Sequence, residues 1–299
     1  MLMQARRRNY WIVAIVGGVS YISVLALLPE TYAPVILKRK QAYLRKDQSE
    51  ENPKIDYYVT LTRPWIMLFT EPILFLLSLY MAFCYGILYL DFTAYPIVFS
   101  QTRGWAPGPS GLSFLGIGIG MALATASSPL INRVHAHYVT KLKQSSTAND
   151  NNSSPPEARF PHLILLSWLI PLGLFWFAWT SSPRYHALLP IAAGIPFGAG
   201  FVPLFLAITA YLTDCYGRRF AASALAANAL LRGLFGATFP LFVRDVYEAL
   251  GTEWATSVLG FVALGMAPLP WVFFRWGRAL RARSGFHRRA VEVEEAEGV

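Results

Sequence analysis

PETYAPVILKRKQAYLRK, residues 29–46, joins the end of an apolar stretch to a strongly basic one, the pattern of a chain leaving a membrane. The run in front of it, Tyr10 to Leu28, is 19 residues long. At about 1.5 Å per residue, a helix of that length just covers a hydrocarbon layer of roughly 30 Å. The Lys and Arg that follow belong in the cytoplasm, where positive charge is retained.

The rest of the chain repeats the theme. Of 299 residues, 55% are hydrophobic and only 14% charged, too apolar for a soluble domain of this size. Apolar runs long enough to cross a bilayer occur at about 10–28, 66–90, 108–131, 162–181, 187–212, 221–243 and 255–274. The sequence therefore predicts an all-α membrane protein with about seven transmembrane helices. A cleaved signal peptide is excluded because the first run is long, lacks a small-residue cleavage site and is followed by six more.

Orientation follows from the basic residues. Segments 29–64, 132–160, 213–220 and the tail from Arg275 hold nineteen Lys and Arg, whereas the intervening loops hold only Arg103, Arg184 and Arg244. The C-terminus is therefore expected inside, probing the same side as Lys38 to Lys40. The net charge of +9 is topological on this reading, so the expected partner is the lipid bilayer and not nucleic acid. Arg6, Arg7 and Arg8 stand against the scheme, because seven crossings put them outside. The lysine-rich stretch at about 34–46 reads as an amphipathic surface helix, and QSSTANDNNSSPPEA (144–158) as a disordered cytoplasmic loop whose sequons at Asn151 and Asn152 stay unused. Cys84 and Cys215, far apart and in or beside apolar runs, imply packing and neither a disulfide framework nor a metal cluster.

The residues themselves resemble a known family. PETYAP (29–34), RPWIMLFTEPILFLLSLYMAFCYGILYLDFTAYPIVF (63–99), RGW (103–105) with GLSFLGIGIG (111–120), PLGLFWFAWTSSP (171–183), GIPFGAGF (194–201), YLTDCYGRRFAASALAANALLRGLFGATFPLF (211–242) and RWGRALRARS (275–284) resemble the fungal twelve-span drug:proton antiporters of the major facilitator superfamily, most closely the branch of polyamine, drug and secondary-metabolite exporters. In that family PETYAP follows the sixth span. The resemblance implies an orphan helix at 1–28, a central cytoplasmic loop at 29–64, a C-terminal six-helix bundle at 65–275 with a disordered loop at 140–158, and a cytoplasmic tail at 276–299. It also implies that five preceding helices are absent, which would account for the arginines at 6–8. The implied function is proton-coupled efflux of small organic molecules at the plasma membrane, with a second chain supplying the missing half. The alternative is a non-transporting protein that associates with and regulates an intact carrier. A seven-helix receptor shares the topology but lacks the expected triplet after the third span and the expected end to the seventh.

Candidate residues follow from position. Arg232 lies mid-span, where a charged side chain costs about 2.5–3.5 kcal/mol on insertion scales. Asn228 shares its face one turn earlier and Gly236 one turn later. The stripe either lines a substrate cavity or holds a structural Arg bonded to backbone carbonyls near Pro240 or in a neighbouring span. Tyr85 and Tyr89, with Ser78 in line, offer rings for flat or cationic substrates, or else form an interfacial belt. Glu71 before Pro72 reads as a helix cap, or as a proton-exchanging acid at a cavity mouth. Asp91 is expected to pair with Arg103 or to face solvent. Asp214, Arg218 and Arg219 resemble a degenerate gating turn of the superfamily, or simply anchor the positive side. Gly116 and Gly120, and Gly194 and Gly198, give faces for close helix contact. No phosphate loop or nucleophile elbow is present, and His135 and His137 lack companions at ligand spacing, so no enzyme, cofactor or metal is expected.

Overall fold

The computed structural model describes residues 2–27, 57–127, 160–286 and 288–289, with isolated positions at 36, 129, 133 and 136. The expected surface helix at 34–46, the disordered loop at 140–158, the two sequons, the pair of loop histidines and the end of the tail lie outside these residues. The chain divides into Met1–Ile55 and Asp56–Val299. In the first unit, helix α1 (Leu2–Leu27) runs through the arginines into the apolar stretch.

In the second unit the described residues are helical, with no strand among them. Helix α2 (Tyr57–Thr70) leads into α3 (Pro72–Pro96). The sequence predicted a single span from residue 66 to 90, so both boundaries differ. The break falls at Glu71, whose backbone is extended at φ −109° and ψ 100° because the residue before a proline is pushed out of the α region. At the other end the helix continues through Pro96 into a π-helical turn, Ile97–Thr102, and reverses at Gly104. A proline lacks the donor needed to close the next turn normally, and the wider turn lets the helix run on past it.

Short helix α4 (Pro107–Gly111) leads through a 3-10 turn into α5 (Leu115–Ala126). Helices α6 (Pro161–Leu166) and α7 (Leu169–Thr180) form the next crossing. The helical run Leu188–Met266 is broken at Gly217 (φ 57°) and Gly251 (φ 73°), giving α8 (188–216), α9 (218–250) and α10 (252–266), followed by α11 (Leu269–Arg283). At Gly251 a side chain would be strained, because L-residues avoid positive φ. Tyr247 and Thr256 share a 2.8 Å hydrogen bond across that break and clasp its two arms together.

Among the described residues six apolar segments reach membrane length, and the last, Arg219–Gly277, spans 59 residues with Gly251 inside it. Counting its two arms separately gives the seven crossings expected from the sequence. The core of the second unit is built on α3, where Leu74, Leu77, Tyr80 and Met81 are fully buried against Tyr211 and Tyr216 of α8. Both cysteines, Cys84 and Cys215, are buried in it. Helices α5 and α8 approach to backbone contact, since a Cβ on Gly116 or Gly120 would overlap the carbonyls of Ile191 or Ile195. Ser167, at the α6–α7 junction, donates to the Ala267 carbonyl at the α10–α11 junction, satisfying one irregular spot with another.

Candidate functional site

The polar stripe predicted on α9 is assembled against α3. The Asn228 amide donates to Ser78 Oγ at 3.1 Å, and both residues are buried. One turn on, the Arg232 guanidinium lies 5.0 Å from the Tyr85 ring centre and 4.9 Å from that of Phe205 on α8. It donates to the Met81 sulfur at 4.0 Å. Among the described residues neither a carbonyl nor a carboxylate takes a hydrogen bond from Arg232, which removes the expectation of an arginine bonded to backbone near Pro240. Two cation–π contacts of about 0.5–2 kcal/mol each offset much of the cost of the charge without using its N–H groups.

Tyr85 donates its hydroxyl to Tyr89 at 3.1 Å, and their ring centres are 4.8 Å apart. Gly236 leaves room for them, since a Cβ there would come within 3.1 Å of the Tyr85 ring. Asn228, Arg232, Tyr85 and Tyr89 therefore form one cluster, graded from a buried amide to Tyr89, which is 38% exposed. Sequence reasoning missed Phe205 and Met81. Phe205 does belong to a four-residue repeat, Phe197, Phe201 and Phe205, that places aromatic rings on one face of α8.

Glu71 is remote from this cluster. It occupies the cap position of α3, but its carboxylate makes no capping bond. Instead Oε1 accepts from the Phe286 backbone N–H at 3.0 Å, and Oε2 accepts from the Tyr216 hydroxyl at 3.4 Å. The helix start expected at Thr70-Glu71-Pro72 is found, with Glu71 at the cap and Pro72 in the first turn, and only the carboxylate's place is corrected: it is buried and joins the segment after α11 to α3 and α8. Phe286 also packs edge-on against Phe220, with ring centres 5.4 Å apart.

Asp91 is another correction. It is 6% exposed, inside the longer α3 and not at its solvent end. Arg103 does not pair with it. The guanidinium donates to the carbonyls of Thr180, Ser182 and Tyr185 at 3.1, 2.8 and 2.9 Å, closing the end of α7. Asp214 and Arg219 flank the reversal at Gly217, and Arg219 lies over Phe220 at 5.8 Å. Arg63 approaches the same ring at 5.6 Å. The side chain of Arg218 lies outside the described residues.

A cavity of about 260 Å³ lies near Gly251, lined by Thr102, Ser181, Leu250 and Glu253 among others. None of the cluster residues lines it. Among the described residues, no three His, Cys, Asp or Glu side chains gather at a metal-binding distance.

Helices of membrane length, one after another along the chain, define a multi-pass membrane protein. The profile of the Major Facilitator Superfamily matches residues 7–240, and the chain belongs to that family. It is 45% identical over 288 residues to the "Major facilitator superfamily multidrug transporter mdrA" of Aspergillus fumigatus, covering 91% of this chain and 46% of the relative. It is 42% identical to the "MFS-type efflux pump MFS2" of Trichophyton rubrum, covering 91% and 46%. It is 40% identical to the "Efflux pump FUB11" of Gibberella moniliformis, covering 92% and 47%. The chain thus spans about half the length of these curated relatives, which are fungal and named as transporters or efflux pumps.

Proposed function

We propose that this chain forms one wall of the central cavity of a secondary transporter that exports small organic molecules, such as drugs, polyamines or secondary metabolites, in exchange for protons. The observation that carries this reading is the mid-span cluster of Asn228, Arg232, Tyr85 and Tyr89, polar groups placed where the bilayer penalises them. Carriers of this architecture bind near the midplane and rock two sets of helices around that point. A second chain supplies the facing wall. The membrane is the plasma membrane, the C-terminus is cytoplasmic, and Asp214, Arg218 and Arg219 gate the cytoplasmic side at the Gly217 turn. Glu71, buried between α3, α8 and the segment after α11, is the proton-exchanging acid.

The test is flux. The purified chain is reconstituted into liposomes with an imposed pH gradient, and efflux of a fluorescent dye is followed at several protein densities. Proton-dependent flux that rises with the square of protein density is the expected result, because two chains complete one cavity. Flux that is indifferent to the gradient refutes the coupling, and no flux at any density refutes transport by assemblies of this chain.

A further inference from the structure

The Arg232 cluster has an imbalance that narrows what it binds. A guanidinium carries five N–H donors. Here its neighbours are two aromatic rings, Tyr85 and Phe205, and one thioether, Met81, at 4.0 Å. Rings hold the cation through their π-faces and accept none of its hydrogen bonds in the ordinary sense, and a thioether is a weak acceptor. Among the described residues the other polar groups of the cluster take no hydrogen bond from it: Asn228 donates its amide to Ser78 and Tyr85 its hydroxyl to Tyr89. Among the described residues, the charge is thus held by contacts that leave its hydrogen-bonding edge without a strong partner.

The same geometry argues against a cationic ligand. The π-system of Tyr85 already faces a positive charge, so a second cation at that ring meets repulsion from Arg232. What the cluster lacks among the described residues is a negative group with paired oxygens, and a carboxylate matches the guanidinium fork in a bidentate way. The surrounding surface is aromatic, from Tyr85, Tyr89 and Phe205, and suits a flat apolar body. Gly236 adds no side chain where the Tyr pair lies.

We propose that this cluster selects planar organic anions, with a ligand carboxylate pairing with Arg232 and an attached ring packing against Tyr85 and Phe205. The proposal rests on the efflux reading and narrows its substrate class, disfavouring polyamines at this position.

The purified chain in lipid nanodiscs is titrated at neutral pH with 2-naphthoate, the isosteric neutral 2-naphthamide and the cationic 2-naphthylmethylamine, following tryptophan fluorescence. Naphthoate is expected to bind about tenfold or more tightly than either comparison ligand, the margin of one charge-assisted pair. Arg232→Gln should abolish that margin, and Arg232→Lys, which keeps the charge but not the fork, should retain part of it and show that the fold survives. Equal binding of acid and amide overturns the proposal, as does an unchanged preference in R232Q, displacement by chloride at equal concentration, or no binding to the unaltered chain. The efflux reading fails separately. If naphthoate binds selectively but proteoliposomes move nothing, the anion site stands without transport; if neutral dye is exported with no preference for the acid, transport stands and the substrate class falls.

Discussion

Ser78 and Asn228 form a buried pair in which each side chain depends on the other. Ser78→Ala strands the Asn228 amide and is expected to cost about 1–3 kcal/mol, whereas replacing both with apolar residues should recover much of the loss. Thermal unfolding of the two variants in detergent measures the difference, and equal losses would mean that the pair carries no coupling. Glu71 invites a similar comparison. Glu71→Ala removes the acceptor of the Phe286 N–H and should speed limited trypsin cleavage in the 281–289 stretch, while Glu71→Gln keeps an acceptor oxygen and should remain close to the natural chain. The spacing of Asn228 and Arg232 was legible because four residues along a helix always share a face. Their partners were not, since Ser78, Tyr85 and Phe205 lie on other helices and no local pattern records which faces meet. Glu71 shows the same divide: its position before Pro72 is local, but the destination of its carboxylate, some two hundred residues away, is not.

Helices α5 and α8 touch through glycine, and neighbouring glycines on α5 differ sharply in what they tolerate. Gly120→Ala places a methyl group into the Ile195 carbonyl and is expected to destabilise by about 1–3 kcal/mol. Gly118→Ala meets nothing within 4 Å and should be neutral or stabilising by roughly 0.5–1 kcal/mol, the usual gain of alanine over glycine in a helix. Unfolding midpoints of the two variants, expected to fall for Gly120→Ala and to hold or rise for Gly118→Ala, check the assignment of the contact face. Element lengths were legible wherever apolar runs ended at polar or Gly-rich breaks. They were misread on α3, where the run of hydrophobic residues suggested a stop at 90 but Pro96 and the π-helical turn carry the helix to 102. That misreading placed Asp91 at a solvent end when it is enclosed.

The whole chain is organised by where its positive charge falls, and orientation is the prediction that belongs to this scale. A glycosylation acceptor tag fused after Val299 should gain no sugar, because the tail is expected to face the cytoplasm. A mass increase that a glycosidase reverses would invert the topology and with it the assignment of the Gly217 turn as an inner gate. The class of fold was legible from hydropathy alone, as the bilayer permits few architectures. The cooperation of α3, α8 and α9 around Arg232 required three dimensions. Enclosure of Cys84 and Cys215 has a practical corollary: water-borne maleimides should find no native thiol to react with, so the unaltered polypeptide already serves as a silent background. Any single reporter cysteine installed elsewhere would then signal its own accessibility, one position at a time.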